Sequence, residues 1–206
     1  GLNEKTLKRF GIPYKTAIVT RGHHAGYYPG AKNMVLKVIF DENGKIFGAQ
    51  AVGEAGVDKR IDVIATAIKG NLTVYELPEI EITYAPPFNS AKDPVNIAGY
   101  TAENILKGDL EMVNYDEFWD FVKENNAVIL DVRTSKEFSG GAIEGAININ
   151  VDDLRENLQN LDKNKVYAIY CQVGLRGYLA NRIMRNNGFR AVNLNGGYNL
   201  WAKANS

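Results

Sequence analysis

The second half of the chain is dominated by short, almost uninterrupted apolar strands that alternate with helical segments. Strands are predicted at residues 127–132, 146–149, 166–170 and 191–194. Helices are predicted at residues 115–125, 151–158 and 176–187, and in a terminal segment that contains Trp201. Strands that are apolar on both faces are typical of parallel sheets covered by helices on both sides. We therefore predict an α/β domain with a parallel sheet.

The first half has a looser pattern that favours an antiparallel sheet. Strands are predicted at residues 14–20, 33–40 and 45–52, and helices at residues 58–69 and 93–106. The pair Asn43-Gly44 stands between the last two strands, and such a pair favours hairpins because both residues tolerate positive φ. Pro94 suits the first turn of the second helix. These elements predict an α+β domain.

The boundary between the two patterns is placed in the short polar segment at residues 107–111. We expect one domain at residues 1–108 and a second at residues 109–206, since 206 residues suffice for two cores. The first residue is glycine, and we expect the chain to be a piece of a longer one.

Charge and cysteine content narrow the class of protein. The chain has 24 basic and 24 acidic residues, which does not favour a nucleic-acid or membrane-surface partner. No apolar stretch approaches the roughly 20 residues that span a bilayer. A single cysteine makes no internal disulfide, so we expect a soluble protein of the reducing cytoplasm.

That cysteine, Cys171, follows an apolar strand and precedes a helix, which is where open α/β sheets bind ligands. The loop runs through Gln172, Val173, Gly174, Leu175, Arg176 and Gly177. Gly174 and Gly177 are expected to let the backbone turn tightly, so that several N–H groups point at one centre. The helix N-terminus, the loop amides and the charge of Arg176 all favour an anion at this centre. We therefore expect Cys171 to be a thiolate.

Such a thiolate can attack the outer sulfur of a sulfane donor and keep it as a persulfide, which an acceptor then removes. The alternative is that a lone cysteine only fills the core as a small apolar side chain. The setting of Cys171 between strand, glycine-containing loop and helix favours the nucleophile.

Several motifs in order resemble a single-domain rhodanese over the whole second domain. They are Asp131-Val132-Arg133 with Glu137-Phe138, Gly145 to Ile149, Tyr170 to Gly177, and Gly196-Gly197-Tyr198 with Trp201. The resemblance implies that Cys171 carries the persulfide and that Arg176 helps to bind an anionic donor or acceptor. It also implies that Asp131 and Arg133 are a structural pair beneath the loop, although Arg133 and Glu137 could equally form a plain salt bridge. These three residues are assigned to the scaffold.

Two comparisons bear on that resemblance. The family often has His in a Gly-His-Ile stretch, where this chain has Gly141-Ala142-Ile143. Cysteine phosphatases of related fold place arginine six positions after cysteine, whereas Arg176 is five positions after Cys171. The shorter loop suits one sulfur atom better than a phosphoryl group.

Two aromatic runs stand out in the first half, at residues 23–30 and 83–94. No metal site is expected, because neighbouring histidines point apart along an extended chain and too few other ligands exist. The plain interpretation is an aromatic core with turns. With Gly48-Ala49-Gln50, however, the runs resemble the dimerisation domain of the pyridine nucleotide-disulfide oxidoreductases, in the coenzyme A-disulfide reductase branch. The resemblance implies a homodimer in which Tyr27 and Tyr84 enter the partner's reductase site, and places Lys92 near the coenzyme A phosphates.

The chain has no Gly-x-Gly-x-x-Gly loop after a strand, so FAD and NAD(P)H are not expected to bind it. The resemblance implies that a full-length protein uses FAD, NAD(P)H and coenzyme A. We predict the C-terminal part of a coenzyme A-disulfide, persulfide or polysulfide reductase with a fused sulfurtransferase acting on small sulfur compounds such as thiosulfate or polysulfide. The alternative is a docking or regulatory rhodanese module without catalysis.

Overall fold

A computed structural model describes residues 1–205. The chain divides into two compact units on either side of the bond between Lys107 and Gly108. Within the described residues, no helix combines the length and the apolar character needed to cross a membrane.

The first unit is built around a three-stranded antiparallel sheet. Its strands, in the order β1-β2-β3 across the sheet, are β1 (Lys15–Gly22), β2 (Asn33–Phe40) and β3 (Ile46–Gly53). Its helices are α1 (Glu4–Phe10), α2 (Val57–Lys69) and α3 (Pro94–Leu106). The prediction of an antiparallel α+β unit is confirmed. Helix α1 was not predicted.

Helices α2 and α3 pack on the sheet because each has an apolar stripe at helical spacing. Ile64 and Ala67 of α2 are buried, as are Val95, Ala98 and Ala102 of α3. These helix side chains form one core with every second side chain of the strands. Among the strand residues are Ala17, Val19, Leu36 and Val38. The start of α3 is fixed by Asp93, whose side chain accepts a hydrogen bond from the backbone N–H of Val95.

The hairpin between β2 and β3 closes differently from the prediction. Gly44 has a φ of 85°, but Asn43 does not take positive φ. Instead the carboxylate of Asp41 accepts hydrogen bonds from the backbone N–H groups of Asn43 and Lys45, each at 2.9 Å. The register shifts between Ile39 and Phe40. A side-chain-anchored turn therefore replaces the expected two-residue turn, because the Asp41 carboxylate satisfies the turn amides.

The second unit is a five-stranded parallel sheet in the order β4-β8-β7-β5-β6, as predicted in kind. Its strands are β4 (Met112–Val113), β5 (Val128–Asp131), β6 (Ile147–Asn148), β7 (Val166–Tyr170) and β8 (Arg190–Leu194). Its helices are α4 (Phe118–Glu124), α5 (Ser135–Ser139), α6 (Leu154–Asn157), α7 (Leu175–Asn186) and α8 (Gly197–Ala204). Strand β4 and helix α5 were not predicted.

Both faces of this sheet are covered, as strands apolar on both faces require. One apolar cluster includes Ile169 of β7 and Met184 of α7, and the other includes Ala168 of β7 and Phe118 of α4. Strand β6 lies on one side of β5, whereas β7 and β8 lie on the other. The connections therefore run to one side of the sheet before β6 and to the other side after it, and the carboxyl ends of the parallel strands β5 and β7 meet where Asp131 pairs with Tyr170. Ligands of open α/β sheets bind at such a point.

Candidate active site

Cys171 lies immediately after β7 and is 1% exposed. The backbone N–H of Gly174 donates a hydrogen bond to its Sγ atom over 3.1 Å. Gly174 has a φ of 121° and caps α7, which starts at the next residue. Unpaired amides and the helix dipole favour negative charge at a helix N-terminus. The Cys171 sulfur therefore lies at a position where negative charge is favoured.

The start of α8 holds the cysteine loop from its backbone side. The N–H of Tyr198 donates to the carbonyl of Cys171 at 2.8 Å, and the N–H of Asn199 donates to that of Gln172 at 3.1 Å. Gly197 has a φ of 68°, and a Cβ atom there would lie 2.7 Å from the Cys171 carbonyl oxygen. Only glycine permits this approach.

Gly177 does not shape a turn, in contrast to the expectation from the sequence. It lies in the first turn of α7, where a Cβ atom would meet the side-chain oxygen of Asn193 on β8 at 2.1 Å. Its role is to let α7 pack closely on the sheet. The tight turn of the loop rests on Gly174, which alone of the two has positive φ.

Asp131 and Arg133 form a fully buried pair at the end of β5. The Nη2 atom of Arg133 lies 2.6 Å from Oδ2 of Asp131, and both side chains are at most 2% exposed. Arg133 also donates to the side-chain oxygen of Gln172 at 3.0 Å and to the carbonyl of Gly141 at 2.7 Å. The guanidinium lies 4.1 Å from the Tyr198 ring centroid. The pair ties the cysteine loop to the strand beneath it and is closed to solvent.

Arg176 pairs with Glu137, so the alternative pairing of Arg133 with Glu137 is wrong. Nη2 and Nη1 of Arg176 donate to Oε1 and Oε2 of Glu137 at 2.6 and 2.8 Å. The reason is that Arg133 already donates to Asp131, Gln172 and Gly141 inside the core. Hydrogen bonding from Arg176 lowers the pKa of Glu137 to about 2. The Glu137 carboxylate raises the pKa of Arg176, and attraction from Cys171 adds to this.

The segment that departs from the Gly-His-Ile pattern is held without histidine. Ile143 is buried, and its N–H donates to the hydroxyl of Tyr170 at 3.1 Å. Burial raises the pKa of Tyr170. Gly141 supplies the carbonyl that Arg133 uses. The backbone of this segment, rather than the side chain of Ala142, makes these contacts.

In the first unit, the structure brings Tyr27 and Tyr84 together at the surface. Their hydroxyl oxygens are 3.5 Å apart, and the residues are 77% and 51% exposed. The hydrogen bond from Tyr84 raises the pKa of Tyr27. Two phenols from loops far apart in sequence thus form one polar, aromatic patch.

A buried arginine that the sequence analysis missed holds those two loops together. Arg60 of α2 is 1% exposed and pairs with Asp93, with Nη2 and Oδ2 2.8 Å apart. It also donates to the carbonyl of His23 at 2.7 Å and to the side chain of Asn89 at 2.9 Å. Its position four residues before Ile64, on the apolar stripe of α2, was the available signal. A charged residue on such a stripe requires buried partners.

Lys92 lies on an open cleft of about 550 Å³ in the first unit. Its Nζ atom is 4.6 Å from the ring centroid of Tyr100, and Glu79 and Glu81 line the same cleft. Neither Tyr27 nor Tyr84 lines this cleft, so the structure does not bring Lys92 together with the two tyrosines there. The lining of the cleft thus contains two carboxylates, Glu79 and Glu81, and one ammonium group, that of Lys92.

Among residues 1–205, no three His, Cys, Asp or Glu side chains are grouped so that they could hold a metal ion. His23 instead accepts a hydrogen bond at Nδ1 from the N–H of Lys32, at 3.0 Å.

Two family models match consecutive parts of the chain. Residues 1–94 match the pyridine nucleotide-disulphide oxidoreductase dimerisation domain, and residues 114–204 match the rhodanese-like domain. A coenzyme A disulfide reductase of Staphylococcus aureus is 48% identical over 104 residues, which is 50% of this chain and 23% of that protein. The chain thus spans about a quarter of the length of this curated relative.

Solved structures extend the likeness to nearly the whole chain. The reduced CoADR-RHD of Bacillus anthracis is 49% identical with a TM-score of 0.95, over 98% of this chain and 36% of that one. The NAD-dependent persulfide reductase of A. fulgidus is 38% identical with a TM-score of 0.85, over 96% and 35%. The chain is a pyridine nucleotide-disulphide oxidoreductase dimerisation domain followed by a rhodanese-like domain, homologous to the C-terminal region of the coenzyme A disulfide reductases and of CoADR-RHD.

Proposed function

We propose that this chain is the C-terminal part of an FAD-dependent, NAD(P)H-using reductase of coenzyme A disulfide, persulfide or polysulfide, and that its second domain transfers sulfane sulfur through Cys171. The observation that carries the proposal is the buried Cys171 sulfur at the N-terminus of α7, with the Gly174 amide directed at it. A cysteine kept only for packing is also buried, but it needs no backbone amide directed at its sulfur.

In the proposed reaction the Cys171 thiolate attacks the outer sulfur of a persulfide or of thiosulfate. A new S–S bond forms on Cys171, and the old one breaks to release a thiolate or sulfite. Loop amides stabilise the negative charge on the terminal sulfur, and Arg176 lies at the rim where donor and acceptor approach. A nucleophilic acceptor then takes that sulfur and regenerates the Cys171 thiolate.

The first domain contributes dimerisation and a pair of phenols to this proposal. Tyr27, Tyr84 and Phe88 are exposed aromatic side chains, and such patches mark sites of protein contact. We infer that they meet a partner subunit of the same chain, where Tyr84 hydrogen-bonds the disulfide substrate or protonates the leaving thiolate. Arg60 keeps both loops in place for this role.

The flavin and nicotinamide groups would supply the electrons for reduction and would be held by domains outside this chain. Lys92 is the proposed contact for the coenzyme A phosphates. Replacing it with alanine tests this directly, because loss of a phosphate contact weakens coenzyme A binding as measured by calorimetry on the protein with its flavin domains.

The test of the sulfur-transfer proposal is mass spectrometry of the chain after exposure to thiosulfate or to a thiol persulfide. We expect Cys171 to gain one sulfur atom, and Cys171→Ser to gain none under the same conditions. Sulfur transfer to cyanide at equal rates by both proteins would overturn the catalytic role of Cys171.

The second candidate is a docking module in which the rhodanese fold binds partners without chemistry. It is favoured by the burial of the Cys171 side chain, which limits access to the sulfur. A docking module gains no sulfur on Cys171 from any donor, so the same experiment decides between the two.

A further inference from the structure

The two guanidinium groups next to the cysteine loop are both already paired with carboxylates. Arg133 is held by Asp131 inside the core. Arg176 is held by Glu137 through two parallel hydrogen bonds, of 2.6 and 2.8 Å. Each pair carries no net charge, so neither arginine presents an uncompensated positive charge to an incoming anion. The backbone N–H groups of the loop, among them that of Gly174, remain as the other source of positive potential.

Glu137 is held in place independently of Arg176. Its Oε2 atom accepts hydrogen bonds from the backbone N–H and the hydroxyl of Thr134, at 3.0 and 2.8 Å, in the capping box that starts α5. These hydrogen bonds favour the observed position of the carboxylate whether or not Arg176 is engaged elsewhere. An anion that uses Arg176 therefore approaches a nearby negative charge.

Arg176 and Glu137 are nevertheless within reach of a substrate. Their side chains are 32% and 30% exposed, in contrast to the closed pair of Asp131 and Arg133. Next to them, Leu175 is 51% exposed at the first turn of α7. The accessible rim of the loop is thus a neutral ion pair beside an apolar side chain, a surface that disfavours a small, highly charged inorganic anion.

The sulfur donors of the proposed function differ in the charge that they bring to this rim. Thiosulfate is a dianion, and transfer of its outer sulfur to the Cys171 thiolate releases sulfite, also a dianion. A thiol persulfide brings one negative charge, and transfer releases a thiolate. In both cases one S–S bond forms on Cys171 as another breaks, and no oxidant or reductant is needed.

We propose that Glu137 is a specificity-determining residue, which holds and neutralises Arg176 and so disfavours thiosulfate relative to thiol-borne persulfides. The inference rests on the proposed sulfur transfer at Cys171. Glu137 acts through Arg176 and through its own charge, and it does not touch the reacting sulfur.

The variant that tests the inference is Glu137→Gln. Glutamine keeps the length of the side chain and an oxygen for the capping box, where it is as suitable as glutamate. It removes the negative charge and frees the charge of Arg176. The matched control is Glu124→Gln, which removes one exposed carboxylate at the end of α4.

The measurement is the second-order rate of sulfur uptake by Cys171, with thiosulfate and with the persulfide of N-acetylcysteamine, whose tail is uncharged. For Glu137→Gln we expect the thiosulfate rate to rise on the order of tenfold, and the persulfide rate to change by less than about twofold. The thiosulfate rate of the variant should also fall more steeply with salt, because an exposed charge attracts the dianion. Glu124→Gln should behave as the unmodified chain.

A double-mutant cycle separates this role from a structural one. In the background of Arg176→Gln, the substitution of Glu137 should give much less gain with thiosulfate, since no guanidinium is left to free. An unchanged ratio of the two donor rates in Glu137→Gln, with uptake intact, would overturn the inference while leaving the proposed function in place. Absence of uptake from either donor in the unmodified chain would overturn both.

Discussion

In the proposed reaction the second domain acts through one sulfur atom, which lies in an apolar cluster and accepts a hydrogen bond from the backbone. The amide of Gly174 reaches the sulfur of Cys171, while Arg176 at the rim is occupied by Glu137. Asp131 and Arg133 support the loop from below and are closed to solvent. The residues around Cys171 thus comprise a backbone amide at the sulfur, a supporting buried pair, and an accessible rim with no net charge.

At this scale the ion pair of Glu137 and Arg176 has a predictable dependence on pH. The pKa of Glu137 is held at about 2, below its ordinary value of 4.5, by hydrogen bonding from Arg176. A carboxylate whose pKa is lowered by folding stabilises the fold above its unfolded pKa, and this contribution disappears as the pH falls through the folded pKa. The pair should therefore be fully effective at pH 5 and above.

We expect Glu137→Gln to lower the free energy of unfolding by about 1 kcal/mol or less at pH 7, since the pair is partly exposed to solvent. The difference should remain constant from pH 8 to pH 5 and shrink below pH 4. Urea unfolding of both proteins at several pH values measures it. A difference that instead grows as the pH falls would contradict the assignment.

Among the elements, α8 matters for the site although it carries no reacting group. Its first residues bind the carbonyls of Cys171 and Gln172, and Gly197 allows the backbones to meet. The same principle operates in the first domain, where Arg60 of α2 binds both aromatic loops. In each case an element distant in sequence holds a loop that carries candidate site residues.

We predict that Gly197→Ala destabilises the second domain by about 2–4 kcal/mol and greatly slows sulfur uptake. The added Cβ atom would lie 2.7 Å from a carbonyl oxygen, and the φ of 68° is itself unfavourable for alanine. Thermal unfolding and the mass-spectrometric uptake assay measure the two effects.

The matched control is Gly188→Ala, because Gly188 has a φ of 82° and open space around a Cβ atom. Gly188→Ala should lower the free energy of unfolding by about 1 kcal/mol, from backbone strain alone, and leave sulfur uptake by Cys171 unchanged. Equal effects of the two substitutions would show that strain, rather than contact with the cysteine loop, explains the result at Gly197.

At the scale of the whole molecule, two units with different cores serve different parts of one proposed reaction. The first belongs to a family of dimerisation domains. Its exposed aromatic side chains at Tyr27, Tyr84 and Phe88 are the features that a partner subunit would cover. The second unit contains its own candidate site within one chain.

We therefore predict that the chain sediments as a dimer at micromolar concentration and that Phe88→Asp shifts it toward the monomer by at least about tenfold in dissociation constant. A charge in place of a 66% exposed phenylalanine would be buried against the partner. Asn160→Asp, which adds the same charge to the surface of the second unit, should leave the dimer unchanged. A strict monomer for the unmodified chain would contradict the interface.

The sequence by itself determined the types of both domains and the place of Cys171. Residues 166–170 are an apolar run without a polar face, so a strand there is buried on both sides. A cysteine that directly follows such a strand lies at the carboxyl edge of the sheet. Short elements such as β4 and α5 escaped prediction, since a strand of two residues or a helix of five has almost no periodicity.

Only the tertiary structure decided which charged groups pair. Glu137 is close in sequence to Arg133 but pairs with Arg176, 39 positions away, because Asp131 has already taken Arg133 inside the core. Gly177, expected in a turn, proved to be a packing residue because β8 places Asn193 against α7. Which charged side chains pair, and where two backbones approach closely, depends on neighbours in three dimensions. The order of the strands in the sheet sets these neighbours, and local patterns along the chain do not.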